Sequence, residues 1–331
     1  SPLLTRIMPE IPKDHPALGS ITMNISANML GLDNAATPFG IKAMQDMQSL
    51  SPNKDTLSNA QILFLVLNTS SVTLFPIAVF LYRAEQGAMS PTDVFIPILL
   101  ATSASTLAGL IVTCLIQRIN LLQHVILLYL VGLFSLLTAL ILYFAQLSTQ
   151  AMAEQSSLLA NSLLFSFIVL VLVVGWRKGL NTYELFVEGA KKGFDVAISI
   201  IPFLLAMLVA IGMLRASGMM DVLVEGIASG VALLGFDTRF VDALPTALMK
   251  PLSGSGARAL MIETMQFHGA DSFAGRLASV LQGSTETTFY VLAVYLGAVG
   301  IKHSRYAVGC CLVADLAGIV TAIAVSYWFF G

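Results

Sequence analysis

The sequence predicts an all-α integral membrane protein of two related, inverted halves, each with a re-entrant hairpin and a broken transmembrane helix. Three observations predict it. The chain has 331 residues, 56% of them hydrophobic and only 11% charged, whereas soluble domains carry about a quarter charged residues; its mean hydropathy is +0.83. Apolar stretches long enough to cross a hydrocarbon core of about 30 Å as helices recur along it. Two of them hold a polar run near the middle, Asn68-Thr69-Ser70-Ser71-Val72-Thr73 and Gly283-Ser284-Thr285-Glu286-Thr287-Thr288. Polar groups at bilayer depth are costly, so a chain keeps them there chiefly to build a site or a pathway.

Crossings are predicted near 59–82, 93–117, 122–147, 157–176, 195–214, 276–300 and 306–330, each apolar and ended by charged or turn-forming residues. Two further apolar stretches are interrupted. Residues 21–47 break at Gly31-Leu32-Asp33-Asn34 and again at Thr37-Pro38-Phe39-Gly40; residues 243–265 break at Pro251-Leu252-Ser253-Gly254-Ser255-Gly256. Each leaves two arms of about ten residues, roughly 15 Å of helix and half a bilayer. That pattern predicts a re-entrant hairpin, whose tip needs protein or water around its backbone. The other reading is an ordinary loop between short interfacial helices. Residues 177–193 mix Trp176, Tyr183 and Phe186 with Arg177, Lys178, Lys191 and Lys192, and 218–235 mix small, apolar and acidic residues; both are predicted to lie on the membrane surface.

The basic cluster at Arg177, Lys178, Lys191 and Lys192 sets its connection in the cytoplasm, and 148–156, without Lys or Arg, faces outside. Arg118, Lys42, Lys54, Lys302 and Arg305 then fall inside, while Arg215, Arg239 and Arg276 fall outside, against the rule. On this count 59–82 runs outward and 276–300 inward.

The order of elements repeats. Asn68-Thr69-Ser70-Ser71 aligns with Gly283-Ser284-Thr285-Glu286, Leu107-Ala108-Gly109-Leu110 with Leu316-Ala317-Gly318-Ile319, and Gly40-Ile41-Lys42 with Gly256-Ala257-Arg258. With opposite directions for the two broken crossings, the repeats are inverted, a recurrent transporter layout. Chance similarity among apolar helices is the competing explanation. Segment 122–147 has no counterpart and reads as a connector.

Glu286 lies about ten residues from either end of its segment, near the midplane by helical rise. A carboxylate there needs a partner, a coupling cation, water or a proton; it reads as a solute or ion-coupling group, with a structural pair to Arg258 as the alternative. Asp315, at similar depth in the last crossing, is a second ion-coupling candidate or a packing partner. Ser253 and Ser255 sit among glycines ahead of Arg258 and a predicted short helix, whose exposed N–H groups favour anions or polar carbonyls. Asn24 and Asn28 share a helix face and lead to Asn34 and Thr37 at the first hairpin tip. Asn68, Thr69 and Ser70, with Gln282, Ser284 and Thr285 opposite, complete a candidate solute-binding set; each serves equally as interhelical glue.

Other chemistry is not expected. Cys114, Cys310 and Cys311 lie in apolar segments and read as packing residues, and His15, His124, His268 and His303 are scattered, so neither a metal nor a cofactor is anticipated. No nucleophile–base pair or phosphate motif argues for an enzyme, and no basic tail argues for a nucleic-acid partner.

Several runs resemble known membrane families. Pro12-Lys13-Asp14-His15-Pro16-Ala17-Leu18-Gly19, the stretch from Asn28 to Gly40, and Leu67-Asn68-Thr69-Ser70-Ser71-Val72-Thr73 resemble spore maturation protein A. Glu188-Gly189-Ala190-Lys191-Lys192-Gly193-Phe194-Asp195, the stretch from Leu244 to Arg258, and Gln282-Gly283-Ser284-Thr285-Glu286-Thr287-Thr288-Phe289-Tyr290 resemble spore maturation protein B. The resemblance covers nearly the whole chain and implies a fused A/B arrangement: a first gate-domain repeat at 1–118, expected to be incomplete at its N-terminus, a connector helix at 119–152, and a second repeat at 153–331. Both families belong to the nucleoside-recognition, or gate, domain group, which includes the gate domains of the ferrous-iron transporter B protein and is similar to concentrative nucleoside transporters. It implies a multi-pass protein of the bacterial cytoplasmic membrane, with lipid, a small polar solute and further copies of itself as partners. The expected function is a transporter or permease, nucleoside-like or other, coupled to a proton or sodium ion; the alternative is a non-transporting binding or assembly module. The family name does not by itself imply a role in spores.

Overall fold

The structure, a computed structural model, describes residues 3–331, without the side chains of 33–35, 192, 195–197, 199–200 and 203–204. A single turn α1 (Leu4–Ile7) leads into a helical pair, α2 (Ala17–Met29) and α3 (Asp33–Leu50). Gly31 makes the turn between them at φ 67°, and a Cβ there would overlap the Phe75 carbonyl oxygen, so only glycine fits. The predicted second break, at 37–40, does not form. Pro38 is carried inside α3, in its second turn, where a missing N–H removes one ladder bond close to the helix start.

The predicted crossing 59–82 is two helices, α4 (Asn59–Thr69) and α5 (Ile77–Glu85). A reciprocal cap starts α4: Ser58 Oγ accepts from the Gln61 N–H at 3.2 Å, and Gln61 Oε1 accepts from the Ser58 N–H at 2.9 Å. The polar run ends α4, and α5 resumes directly after Pro76, a residue that cannot extend the preceding ladder. Then come α6 (Phe95–Ile116), the connector α7 (His124–Phe144), α8 (Thr149–Arg177) and α9 (Thr182–Ala216). After a turn at 178–181, α9 runs unbroken from Thr182 through Pro202 into the following apolar segment, so most of the stretch at 177–193 is the first part of a longer helix. Lone glycines at 189 and 193 weaken a helix without ending it. Gly218, at φ 74°, turns the chain into α10 (Met219–Leu233), bent 70° from the Leu205–Ala216 part of α9.

A 3₁₀ turn at Val241–Ala243 precedes α11 (Leu244–Met249) and α12 (Gly254–His268). The predicted equal arms of 243–265 are thus unequal, six and 15 residues long. The predicted crossing 276–300 is again broken, into α13 (Phe273–Gly283) and α14 (Thr288–Val299), and α15 (Ala307–Phe330) closes the chain.

Among the described residues, four helices, α6, α7, α8 and α15, are long and apolar enough to cross a membrane, and the number is five if the bent pair Leu205–Ala216 and α10 is counted as one span. The chain is a multi-pass membrane protein. In α6 and α15, 61% and 39% of the apolar window is buried, against 6% in α7 and 11% in α8. The first two pack together at the centre, with α4 and α13 against them. The last two turn apolar side chains outward on most of their circumference, which only acyl chains or other protein can cover.

Candidate functional site

The two polar runs meet. Where α4 stops, the Thr69 carbonyl has no partner in its own helix, and it accepts from the Glu286 N–H of the second break at 2.8 Å. Each break is also tied to the helical pair before it: Leu74 N–H donates to Met29 O at 2.8 Å, and Phe289 N–H to Pro251 O at 2.9 Å. Irregular backbone at membrane depth is tolerable only with such protein partners. The central helices approach closely through glycine. A Cβ on Gly109 of α6 would meet Val66, Ala314 and Ser70; one on Gly318 of α15 would meet Thr285, Ser105 and the Ser284 carbonyl.

Beside the joined breaks lies a cavity of about 340 Å³. From the first half, predicted site residues Asn28, Thr37 and Asn68 line it; from the second, Ser253, Ser255, Arg258, Gln282, Thr285 and Glu286 do. The Asn34 side chain lies outside the described residues. Thr69, Ser70 and Ser284 are buried beside the breaks but do not line the cavity. Their hydroxyls donate back into their own helices, Thr69 and Ser70 to Val66 O at 3.2 and 2.6 Å, and Ser284 to Leu281 O at 2.8 Å. The Ser70 carbonyl accepts in turn from Thr106 Oγ1. Asp315 is also outside the lining; its Oδ2 accepts from Thr288 Oγ1 at 2.7 Å, just behind the start of α14.

Local structure sets each lining group. Ser253 caps α12, its Oγ accepting from the Gly256 N–H at 3.1 Å, and its hydroxyl lies 3.3 Å from that of Ser255. The Arg258 guanidinium stands over the Tyr82 ring at 5.6 Å, a cation–π contact between α12 and α5. Asn68 Nδ2 donates to Asn24 Oδ1 at 2.7 Å and reaches the Tyr295 hydroxyl at 3.4 Å, while Asn24 Nδ2 donates to Ala36 O at 2.8 Å. Gly40 gives the Tyr295 ring its room against α3. Two groups are left over: Asn28 Nδ2 and Gln282 Oε1 have no hydrogen-bond partner among the described residues, although Asn28 and Gln282 are only 5% and 7% exposed.

Sequence reasoning missed Lys250, Tyr290 and Tyr295 on this wall. Lys250 sits at the end of α11, where a basic residue reads as an ordinary helix flank. Tyr290 and Tyr295 lie in an apolar run where aromatics read as core.

Comparison with known proteins settles the family. Spore maturation protein B of Bacillus subtilis (strain 168) is 45% identical over 161 residues, which cover 49% of this chain and 89% of that protein. The chain belongs to the spore maturation protein family. Spore maturation protein A of the same organism is 44% identical over 111 residues, 34% of this chain and 57% of that relative, so the match takes in little more than half of protein A. A family model described as "Gate: Nucleoside recognition" matches residues 197–302, a span that holds Lys250, Ser253, Arg258, Gln282 and Glu286. No solved structure matches.

In this spore maturation family member, charges outside the cavity tie the halves together at both ends. At one end Arg83, wholly buried, pairs with Asp93 at 2.9 Å and Asp271 at 3.3 Å and donates to the Ala270 carbonyl at 2.8 Å. Arg276 donates to the other Asp93 oxygen at 2.8 Å and to the Asp271 carbonyl at 2.7 Å. The loop between α5 and α6 is thereby joined to the lead-in of α13. At the other end Lys302 and His303 N–H both donate to Asp55 O at 3.0 Å, Leu57 N–H donates to His303 O at 3.2 Å, and Arg305 donates to Leu57 O and Asn59 Oδ1 at 3.0 Å. That joins the lead-in of α4 to the loop between α14 and α15.

Proposed function

We propose that the chain is a transporter or permease for a small polar solute in the bacterial cytoplasmic membrane, with its site where the two breaks join. One observation carries this reading: two helices interrupted at mid-length are hydrogen-bonded to each other at their breaks, beside a polar cavity lined by both. Discontinuous helices of this kind build the substrate and ion sites of many secondary transporters.

The contacts support an inverted repeat of 1–118 and 153–331 joined by the connector 119–152. In the repeat alignment Ser70 corresponds to Thr285 and Ser105 to Ala314. Gly109 abuts Ser70 and Ala314, and Gly318 abuts Thr285 and Ser105, the reciprocity that a two-fold axis produces. Leu74 and Phe289 also correspond, and each bonds to the carbonyl end of its own preceding arm. The end where α4 begins is the end where α14 finishes, and α13 begins where α5 finishes, so the two broken helices run in opposite directions. The helical pairs α2–α3 and α11–α12 are read as re-entrant hairpins because both turns reach the cavity wall. The basic stretch from Arg177 to Lys192 is assigned to the cytoplasm.

In this reading the halves rock about the site, and Glu286 or Asp315 carries a coupling proton or sodium ion; no chemical conversion takes place. The test is uptake into proteoliposomes and solute counterflow. Glu286→Gln is expected to insert and fold normally and to lose solute-dependent uptake; wild-type uptake by that variant removes Glu286 from the mechanism. A second reading, a static membrane binding or assembly module, draws on the buried Arg83 network, which joins the halves rigidly at one end. Purified protein that moves no solute yet holds a stable partner complex favours it.

A further inference from the structure

We infer that the coupling ion is a proton, and that Asp315 holds it in this conformation as a neutral carboxylic acid. This rests on the reading of the cavity as a transport site; it chooses between the two carboxyls and between the two ions.

The first observation is the poverty of Asp315's surroundings. It lies well inside α15 and is 2% exposed. Of the helices packed on α15, α4, α6 and α14 carry no charged residue. The Arg276 of α13 is engaged with Asp93, and α8 has Glu154 and Arg177 only toward its two ends. The groups that act on Asp315 electrostatically are Cys311, one turn earlier in α15, and Lys250, at the end of α11. Glu286 and the α14 residues Tyr290 and Tyr295 belong to the cavity wall. Asp315 Oδ2 meets Thr288 Oγ1 at 2.7 Å, and Oδ1 meets no hydrogen-bonding group among the described residues. An ionised carboxylate offers about four acceptor sites, and a charge so poorly answered at membrane depth is relieved by binding a proton. The neutral acid suits the geometry. Its O–H on Oδ2 donates across the same 2.7 Å to the Thr288 hydroxyl, which both donates and accepts. Oδ1 is then an uncharged carbonyl oxygen rather than half of an unanswered carboxylate.

The second observation is space. Asp315 Oδ1 has almost no accessible surface, so no water-sized gap adjoins it. A hard metal cation gathers about six oxygen ligands, which leaves sodium without a seat. A proton needs neither ligands nor room.

The third observation is position. Thr288 opens α14 directly after Glu286 and Thr287, both on the cavity wall. The carboxyl is thus one hydroxyl removed from the cavity. A shift of the start of α14 away from α15 exposes it to cavity water. There the O–H bond breaks, the proton passes to water, and Lys250 is the base within reach of the carboxylate left behind.

Infrared spectroscopy of the purified full chain tests this. At neutral pH the wild type is expected to show the carbonyl stretch of a neutral carboxylic acid that shifts when aspartate is isotope-labelled. The band is expected to vanish in Asp315→Asn, persist in Glu286→Gln, move to higher frequency in Thr288→Val, and bleach as the pH is raised. Should Asp315→Asn not fold, the Thr288→Val shift assigns the band. No aspartic acid band at neutral pH means an ionised carboxylate and overturns the inference. A band that survives in Asp315→Asn belongs to another residue, and one that survives until the protein unfolds in alkali marks a proton that is never released; both overturn it. Thermal unfolding in sodium chloride and in potassium chloride is expected to give the same Tm, whereas stabilisation by sodium that Asp315→Asn abolishes assigns the site to sodium, because a ligand of the folded form raises Tm. Each of these failures leaves solute counterflow, which needs no pH gradient, to decide separately whether the cavity transports.

Discussion

The two broken helices, α4–α5 and α13–α14, differ in where they place charge. The first break, residues 70–76, is flanked by neutral amides and hydroxyls, and Asn68, at the end of α4 just before it, is already engaged with Asn24 and Tyr295. The second break, residues 284–287, contains Glu286 and lines the cavity together with Lys250 and Arg258. The lead-ins differ too. The loop into α13 carries Asp271, set against the buried Arg83, whereas the loop into α4 carries Asp55, whose side chain is 63% exposed and lies 4.0 Å from an exposed Lys302. The first half therefore lines the cavity with neutral side chains, and the second brings its charged ones. One end of the molecule is tied by an ion network around the buried Arg83, and the other by main-chain hydrogen bonds and Arg305, with only an exposed ion pair beside them.

The largest expected effect tests the ends. Arg83→Met leaves Asp93 and Asp271 facing each other with only Arg276 to offset them, and removing one member of a buried charge network typically costs about 3–5 kcal/mol. Lys302→Met removes one side of an exposed pair, worth about 0–1 kcal/mol. Thermal unfolding of the two variants in the same detergent is expected to show a large loss of Tm for the first and almost none for the second. Similar losses would mean the ends are equivalent.

The next effect tests the breaks. Asn68→Leu strands Asn24 Oδ1 in a buried site, a loss of about 1–3 kcal/mol, so its damage is expected in stability. Glu286→Gln keeps shape and hydrogen-bonding capacity, so its damage is expected in uptake with Tm little changed. A Glu286→Gln protein that unfolds early, or an Asn68→Leu protein of normal Tm, would erase the distinction between scaffold and site.

Much of this arrangement was legible in the sequence because membrane depth makes polarity conspicuous. A Ser-Thr-Glu run inside an apolar crossing has few harmless explanations, and both runs do end a helix and reach the same cavity. The close-packed glycines at 109 and 318 were legible as the Ala-Gly pairs inside two apolar crossings. Arg83 was not: a basic residue beside an apolar segment looks like any interfacial flank until the fold brings Asp93 and Asp271 to it. Pro38 misled because its effect depends on its distance from the helix start, which composition does not reveal. The continuity of α9 was not legible either: the lysines and aromatics of 177–193 set it apart from the apolar segment that follows, while nothing in between is strong enough to stop the helix. Thr69, Ser70 and Ser284 share the polar runs with true lining residues; only the local backbone decides which hydroxyls fold back into the helix.

A smaller symmetric effect is expected at the central crossing. A methyl group at Gly109 meets Val66 at 2.7 Å and Ala314 at 3.0 Å, and one at Gly318 meets Thr285 at 2.9 Å and Ser105 at 3.2 Å. Overpacking of this kind costs about 1–3 kcal/mol, reduced where side chains such as Val66 can turn away. Gly109→Ala and Gly318→Ala are expected to lower Tm by similar amounts, and the double variant by less than the sum, because both push α6 away from α15. Fully additive losses would argue against a shared two-fold contact.

The smallest effect separates the two halves at their helix starts. Both broken helices begin on a serine cap: Ser58 Oγ accepts from the Gln61 N–H at 3.2 Å, and Ser272 Oγ accepts from the Gly275 N–H at 3.0 Å. Loss of such a cap costs about 0.5–2 kcal/mol. In the first half Gln61 bonds back to Ser58 N–H, which holds the turn even when the hydroxyl is gone. In the second half Gly275 occupies the corresponding position and offers no side chain in return. A Cβ at Gly275 would overlap the Gly269 carbonyl, so tight packing of this turn excludes the glutamine that would complete the box. Ser272→Ala is therefore expected to lower Tm more than Ser58→Ala, and Gln61→Ala combined with Ser58→Ala to close the difference. Equal single losses would show that the reciprocal bond adds nothing, and that the firmer start of α4 comes from its packing alone.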